Sequence, residues 1–404
     1  MTGPEPRPPR RTRRSVAAAA VLLGLIAGVL VAEVVVRLTL RYNSPATVRA
    51  HSLQYLPSVY ARHRLKPGQE FDAGLAWGGP APGIPAGPVI AINDRGLRGG
   101  PIAVPKPAGT VRVVVLGGSM VFDIHAGEGE DWPHLAGALL RARGHSEVEV
   151  INAGVPGHAS ADSLGRLATQ IWMLEPDIVL LVHGWNDLKL LGRIDPDHPL
   201  LARQRPYDPH ADPFQNDRGW LDRWLLSSQI YVKLRTRYLL SRFTPGIEGA
   251  LGAENDAGGL DWSWGERQYR LDLALLVEAS RAIGAQPVLV TEATLATADA
   301  DPEARARIQY DYTGFDHPTL VRAYALFNDA VRDIGRERGV PVLDLDRRFS
   351  GRKDLFADHV HTSAAGSRAY ADAVAGFLEA MPGAGGAVPI ALQAPLRNDK
   401  IPPP

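Results

Sequence analysis

The run VRVVVLGGS at residues 111–119 decides the fold. Its β-branched and aliphatic residues continue without polar alternation, the pattern of a strand buried on both faces. The two glycines that follow let the backbone bend sharply and come close to a bound group. The bend lifts Ser119 clear of the strand's carboxyl end. Gly-Gly-Ser after a strand is by itself an ordinary turn, so the meaning of Ser119 depends on what else the chain brings to the same edge.

Downstream the pattern alternates. A helix is expected over 131–143, a strand over 148–151, the loop 152–160, and a helix to about 173. A second buried strand covers 176–183 and ends in Gly184-Trp185-Asn186-Asp187. Later come a helix over 267–283, a strand over 287–291, a helix over 318–338, a strand over 340–343 and a closing helix over 363–378. Five strands alternating with helices predict an α/β fold with a five-stranded parallel, doubly wound sheet between two helical layers. Such sheets place their sites beyond the strands' carboxyl ends.

Upstream, residues 1–14 form a basic tail with Arg10, Arg11, Arg13 and Arg14 clustered, and 16–32 contain no polar residue. A helix of that length spans about 25 Å, and continuing to Val36 brings it to about 31 Å, against a hydrocarbon core of roughly 30 Å. Residues 15–38 therefore read as a transmembrane helix. Glu33 and Arg37 pair one turn apart near its far end, and the arginines keep the tail cytoplasmic, so the rest lies outside the inner (cytoplasmic) membrane. A cleaved signal peptide would carry a small-x-small site before Glu33 and a shorter apolar run. Residues 39–110 are Pro- and Gly-rich and read as an irregular linker, in which NDRGLRG at 93–99 forms a turn. The main domain is expected over 111–380. Within it, 188–265 is too long for a simple connection and reads as an insertion, helical over 221–240. Its tryptophans 220, 224, 262 and 264 either pack within the insertion or offer a sugar-stacking platform. Residues 381–404 are Gly-, Ala- and Pro-rich and read as a disordered tail.

The bulk composition excludes several classes. Basic and acidic residues balance at 44 each, which removes nucleic acid as an expected partner. There is no cysteine, hence no disulfide, thiolate metal site or cysteine nucleophile. No Gly-rich loop with Lys follows the first strand, against phosphate handling.

Mapped onto the sheet, the unusual polar residues converge. Ser119 follows the first strand, Gly154 and Gly157 the second, Asn186 the third, and Asp358 and His361 lie beyond the fifth, all at one edge by topology. A serine hydroxyl needs a base to take its proton. A histidine can do so while a carboxylate orients it and steadies the imidazolium. The attacked carbonyl oxygen needs fixed donors. The backbone N–H groups of Ser119 and Gly157 and the Asn186 side-chain amide would supply them. The plainer readings are a helix N-cap for Asn186-Asp187 and a simple turn for Gly154–Gly157. Metal binding by His359 and His361 lacks partners at ligand spacing.

Four blocks in this order resemble the SGNH (GDSL-type) hydrolase family over about residues 93–380. Leu116-Gly117-Gly118-Ser119 is similar to its nucleophile block, and Asn152-Ala153-Gly154-Val155-Pro156-Gly157 to the block with the oxyanion glycine, at Gly157. Gly184-Trp185-Asn186-Asp187 is similar to the block with the oxyanion asparagine, at Asn186. Asp358-His359-Val360-His361 resembles the DxxH block, with Asp358 and His361 as triad partners and His359 a bystander. Gly118 departs from the usual aspartate before the serine. The resemblance implies a flavodoxin-like three-layer fold and ester hydrolysis or acyl transfer, with no cofactor and no metal. The expectation is a membrane-anchored, outward-facing serine esterase acting on acylated carbohydrate or lipid esters of the cell envelope. The alternatives are an O-acyltransferase on the same residues and a non-catalytic envelope binding module.

Overall fold

The computed structural model describes residues 10–39, 55–56, 58–72, 89–188, 262–313 and 315–381, with short pieces at 191, 220–225, 228, 230–231 and 234. Its centre is a five-stranded sheet of Val111–Gly117 (β1), Val148–Asn152 (β2), Ile178–Val182 (β3), Gln286–Val290 (β4) and Val342–Leu343 (β5). The order is β2-β1-β3-β4-β5 and every pairing is parallel. The longer helices are Arg10–Thr39 (α1), Trp132–Ala142 (α2), Ser160–Thr169 (α3), Ser263–Ala282 (α4), His317–Arg338 (α5) and Ala364–Ala380 (α6). The expected five-stranded, doubly wound α/β sheet is thus observed.

Every residue of β1 is buried, and alternation assigns its side chains to two cores. Val114 and Leu116 join Val179 and Leu181 of β3 under α3, α4 and α5, with Leu167, Tyr269, Leu273, Leu320 and Phe327. Val113 and Val115 join Leu180 and Val182 under α2 and α6, with Trp132, Leu140, Tyr370 and Val374. Each such side chain contributes about 1.5–3 kcal/mol by leaving water. Caps set the helix ends. Asp316 accepts from Thr319 N–H at 2.9 Å to start α5, whose end is Gly339 at φ 59°. Ser363 starts α6 by accepting from Gly366 N–H at 3.2 Å.

Within 39–110, read from composition as an irregular linker, much of the described chain is built into the domain. Gln69–Asp72 pairs antiparallel with Val89–Ile92, and Arg64–Leu65 with Tyr55–Leu56. Leu65, Ile90 and Ile92 bury against Phe122, Ile124 and Val155 in a third small core. These pairings are two to four residues long. That is too short for a period to stand out among prolines and glycines.

Helix α1 is long and apolar enough to cross a membrane over Ser15–Val35, with a mean hydropathy of 2.5 and none of that stretch buried. Glu33 of α1 accepts from Ser228 Oγ at 2.8 Å and from Ile230 N–H at 3.0 Å. Most of the expected insertion at 188–265 and residues 382–404 lie outside the described residues. Of the expected helix over 221–240, the described part includes Trp220–Leu225, which leaves Trp220 and Trp224 75% and 67% exposed. Trp262 instead packs on the core, 5.8 Å from the Phe315 ring.

Leu181 is 1% exposed at the middle of the sheet. Leu181→Ala is expected to cost about 2–5 kcal/mol through lost burial and the cavity left behind, seen as a lowered thermal unfolding midpoint of the full chain.

Candidate active site

The nucleophile position grows directly out of β1. Gly117 pairs with Val182, and its Cα lies so close to the Val182 carbonyl that a Cβ would come within 2.6 Å of that oxygen. Gly118 has no room for a side chain either, because a Cβ there would meet the Asn186 amide nitrogen and, at 3.0 Å, the His158 carbonyl. This accounts for glycine where the related motif carries aspartate. Ser119 then opens the short helix Ser119–Phe122, so its N–H is one of the helix-start donors without an intrahelical acceptor. The turn leaves through Asp123 at φ 58°, a left-handed position that aspartate tolerates.

His361 meets the serine from the far end of the chain. Its Nε2 accepts from Ser119 Oγ at 2.7 Å, and its Nδ1–H donates to Asp358 Oδ2 at 2.6 Å. The other oxygen of Asp358 accepts the backbone N–H groups of Val360 and His361, both at 2.9 Å. Burial alone would raise the Asp358 carboxyl, but the His361 charge and these bonds hold it well below the usual carboxylate range. Burial alone would lower His361, but the Asp358 charge and hydrogen bond outweigh it and raise the imidazole above 6.5. His359 points away, buried edge-on against Trp185 at 4.2 Å between ring centroids. Its carbonyl accepts from Leu295 N–H at 2.9 Å and Thr294 Oγ1 at 3.0 Å, which pins this loop to the chain after β4.

The loop after β2 runs under the serine. Gly154 faces the Val121–Phe122 backbone so closely that no Cβ fits. Gly157 sits at φ 83°, and its N–H takes no acceptor among the described residues. Asn186 Nδ2 donates to the His158 carbonyl at 3.0 Å. Its amide therefore acts as a donor rather than as a helix cap. Asp187 instead accepts the N–H and hydroxyl of Ser160, at 3.0 and 2.6 Å, across the loop. Burial pushes Asp187 up to about 7 against the pull of those Ser160 bonds. Ser119, Gly157, Asn186, Asp358 and His361, all expected from sequence, are brought to one edge of the sheet.

Three residues that shape this site were not singled out beforehand. Arg98 is 1% exposed, and both terminal nitrogens of its guanidinium donate to the nucleophile loop. Nη1 donates to the carbonyls of Phe122 and Asp123 at 2.5 and 2.8 Å, and Nη2 to those of Ala126 and Gly127, both at 2.7 Å. Nε lies 3.2 Å from Asp131. Asp123 accepts from Thr362 Oγ1 at 2.8 Å, Ser367 Oγ at 2.6 Å and Trp132 N–H at 3.0 Å, joining the serine turn to the histidine loop. Burial pushes its carboxyl up to about 6. His125 stands edge-on to His361, with ring centroids 5.8 Å apart. Desolvation and the neighbouring His361 lower its pKa. A signal for Arg98 existed in the NDRGLRG turn, and one for Asp123 and His125 in the FDIH that follows the nucleophile motif. Among the described residues, His125, Asp358 and His361 place ligand atoms within 4.8 Å of one another. A metal there would compete with the bonds His361 makes to Ser119 and Asp358.

The model of the GDSL-like lipase/acylhydrolase family matches residues 115–369, more than half of the chain. The chain belongs to that family and is an esterase/acylhydrolase by membership. No curated protein matches it. Among solved structures it is similar to an alpha/beta hydrolase enzyme from the metagenome of Lake Arreo, Spain, at 16% identity and a TM-score of 0.40 over 67% of this chain and 96% of that one. It is also similar to a lipase/acylhydrolase from Enterococcus faecalis, at 18% identity and a TM-score of 0.39 over 66% of this chain and 94% of that one. A putative lipolytic protein of the G-D-S-L family from Desulfitobacterium hafniense DCB-2 aligns at 12% identity and a TM-score of 0.38 over 67% and 100%.

Lysine offers three rotating donors where arginine offers five in a fixed fork. Arg98→Lys is expected to strand buried carbonyls of the nucleophile loop, at about 1–3 kcal/mol for each group left unpaired. The check is a lowered unfolding midpoint together with faster amide exchange over 119–127.

Proposed function

We propose that this acylhydrolase is a serine esterase held at a membrane by α1, with its site on the outer side, acting on acylated carbohydrates or lipid esters of the cell envelope. The observation that carries the chemistry is the unbroken line from Asp358 through His361 to Ser119, at 2.6 and 2.7 Å. Neutral His361 takes the hydroxyl proton as Ser119 Oγ attacks the ester carbonyl. Asp358 keeps Nδ1–H in place and steadies the imidazolium. The new oxyanion is received by the N–H groups of Ser119 and Gly157 and by the Asn186 amide, donors that carry no charge of their own. Collapse of the intermediate expels the alcohol, which takes the proton from His361. Water, deprotonated by the same histidine, then releases the acid and restores the serine. A sugar hydroxyl in place of water would make the same residues an O-acyltransferase. The outward orientation rests on Arg10, Arg11, Arg13 and Arg14 in the first turns of α1, ahead of its apolar stretch, which favour the cytoplasmic side.

The full chain in detergent, given a short-chain aryl acetate, is expected to release the phenol at a rate that Ser119→Ala abolishes. Wild-type rates in that variant would remove Ser119 from the mechanism, and added glycan that diverts the acyl group from water would favour transfer. Asn186→Ala is expected to lower kcat by on the order of 10²–10³, the effect of losing one oxyanion donor, and an effect on KM alone would reassign the residue to binding. Protonated His361 cannot take the serine proton, so kcat/KM should fall as pH drops. With the imidazole raised from 6.5, the midpoint of that fall should lie above 6.5. A midpoint at or below it would separate His361 from the influence of Asp358.

A further inference from the structure

We infer that residues 60–65, the strap that precedes the catalytic sheet, position the oxyanion donors, and that His63 is the residue through which they act. The inference rests on the esterase reading above. His63 is 6% exposed and grips the two neighbours of Gly157 at once. Its ring Nε2–H donates to the Pro156 carbonyl at 2.8 Å, and its own carbonyl accepts from His158 Nε2–H at 2.8 Å. The two rings meet edge-on with centroids 4.9 Å apart. His158 is fully buried, and desolvation keeps it neutral, so its ring holds one donor in one place.

Both side-chain and backbone oxyanion donors hang on this pair. Gly157 lies between the two gripped residues in a left-handed conformation, φ 83°, and a Cβ there would stand 3.5 Å from the His63 ring. The His158 carbonyl is the acceptor that holds Asn186 Nδ2 at 3.0 Å. Moving His63 would therefore shift the Gly157 N–H and the Asn186 amide together. The strap is fastened on either side of this point. The Arg62 guanidinium binds Asp162 at 2.9 and 2.6 Å and its N–H binds the same carboxylate at 2.8 Å, while Asp162 also holds Ala159 N–H at 2.9 Å. Leu65 is buried in the core that contains Val155, and the Tyr60 carbonyl fills the space a side chain at Gly165 would need. Ala153 and Val155 N–H bond to the Val115 and Gly117 carbonyls and Gly154 N–H to Asn152 Oδ1, so the strap's contacts set the chain beyond them, at Gly157. Misplacing a positioned group by about 1 Å can cost on the order of 10² in rate. His63 acts here as a positioning residue.

The test uses the full chain in detergent with the aryl acetate. His63→Ala is expected to lower kcat about tenfold or more, within the ~10² that such misplacement costs, while KM stays within about twofold. His63→Gln, whose terminal N–H reaches the same carbonyl, is expected to restore most of the loss. Amide exchange over 153–162 should quicken in His63→Ala and return toward wild type in His63→Gln. A folded His63→Ala protein with wild-type kcat, or with unchanged exchange over 153–162, overturns the inference and leaves the esterase reading standing. Loss of activity in both variants in step with a lowered unfolding midpoint also overturns it, because the residue would then serve stability alone. Should His63→Ala fail to fold, His63→Asn, whose amide stops short of Pro156, takes its place with the same expectation. Absence of any Ser119-dependent turnover in the wild type would instead remove the esterase reading and this inference with it.

Discussion

Four backbone carbonyls between Phe122 and Gly127 face the protein interior instead of water, and the loop that carries the serine exists in this shape because one guanidinium answers them all. A buried carbonyl without a donor is costly. The N–H groups of Ala126 and Glu130 also reach the carbonyls of Asp123 and Gly127 at 3.1 Å, and Arg98 completes the set at Phe122 and Ala126. Arg98 reaches in from outside the central sheet and supplies a planar fork, while Asp131 balances its charge. Asp131 is itself held by His134 and by Asn152 at the end of β2. The serine turn, the start of α2 and the oxyanion loop are therefore coupled through one buried ion pair. Breaking such a pair is more damaging than never having had it.

The second organising fact is crowding between the ends of β1 and β3. Gly118 and the Asn186 amide compete for the same space, and the glycine yields it. Arg98 holds the carbonyls, and Asp123, four residues past the serine, ties the turn to Thr362 and Ser367 beside the histidine. The third core, in which Leu65, Ile90 and Ile92 meet Phe122, Ile124 and Val155, covers the outer side of both loops.

What could be read from the chain and what could not divide along a physical line. The strands were legible because β3 is apolar along its whole length and β1 is apolar but for Arg112, the mark of burial on both faces. The site was legible because a parallel sheet sends each strand's carboxyl end to one edge, so Ser119, Gly157, Asn186, Asp358 and His361 could be placed together by topology. The roles of Arg98, His63 and Asp123 were not legible. An arginine in a Gly-rich turn or a histidine among prolines looks the same whether it faces solvent or a ring of buried carbonyls. Only the third dimension tells them apart. The short pairings of 55–72 with one another and with 89–92 were hidden for a related reason, since two to four residues are too few to show a period.

The loop that carries Asp358 and His361 follows β5, which is only two residues long. It is held less by the sheet than by its sideways bonds to Thr294 and Leu295 and by the Thr362 bond to Asp123. Within it, Asp358 binds the ring of His361 and its backbone N–H together, so carboxylate and imidazole travel as one body. A displacement of that body would change the gap to the Ser119 hydroxyl and leave the bond between its own members intact. What Asp358 adds to proton affinity at the imidazole would be insulated from that displacement, while reach of the serine would not. In this chain the strength of the base and its availability are separate quantities, controlled by different contacts.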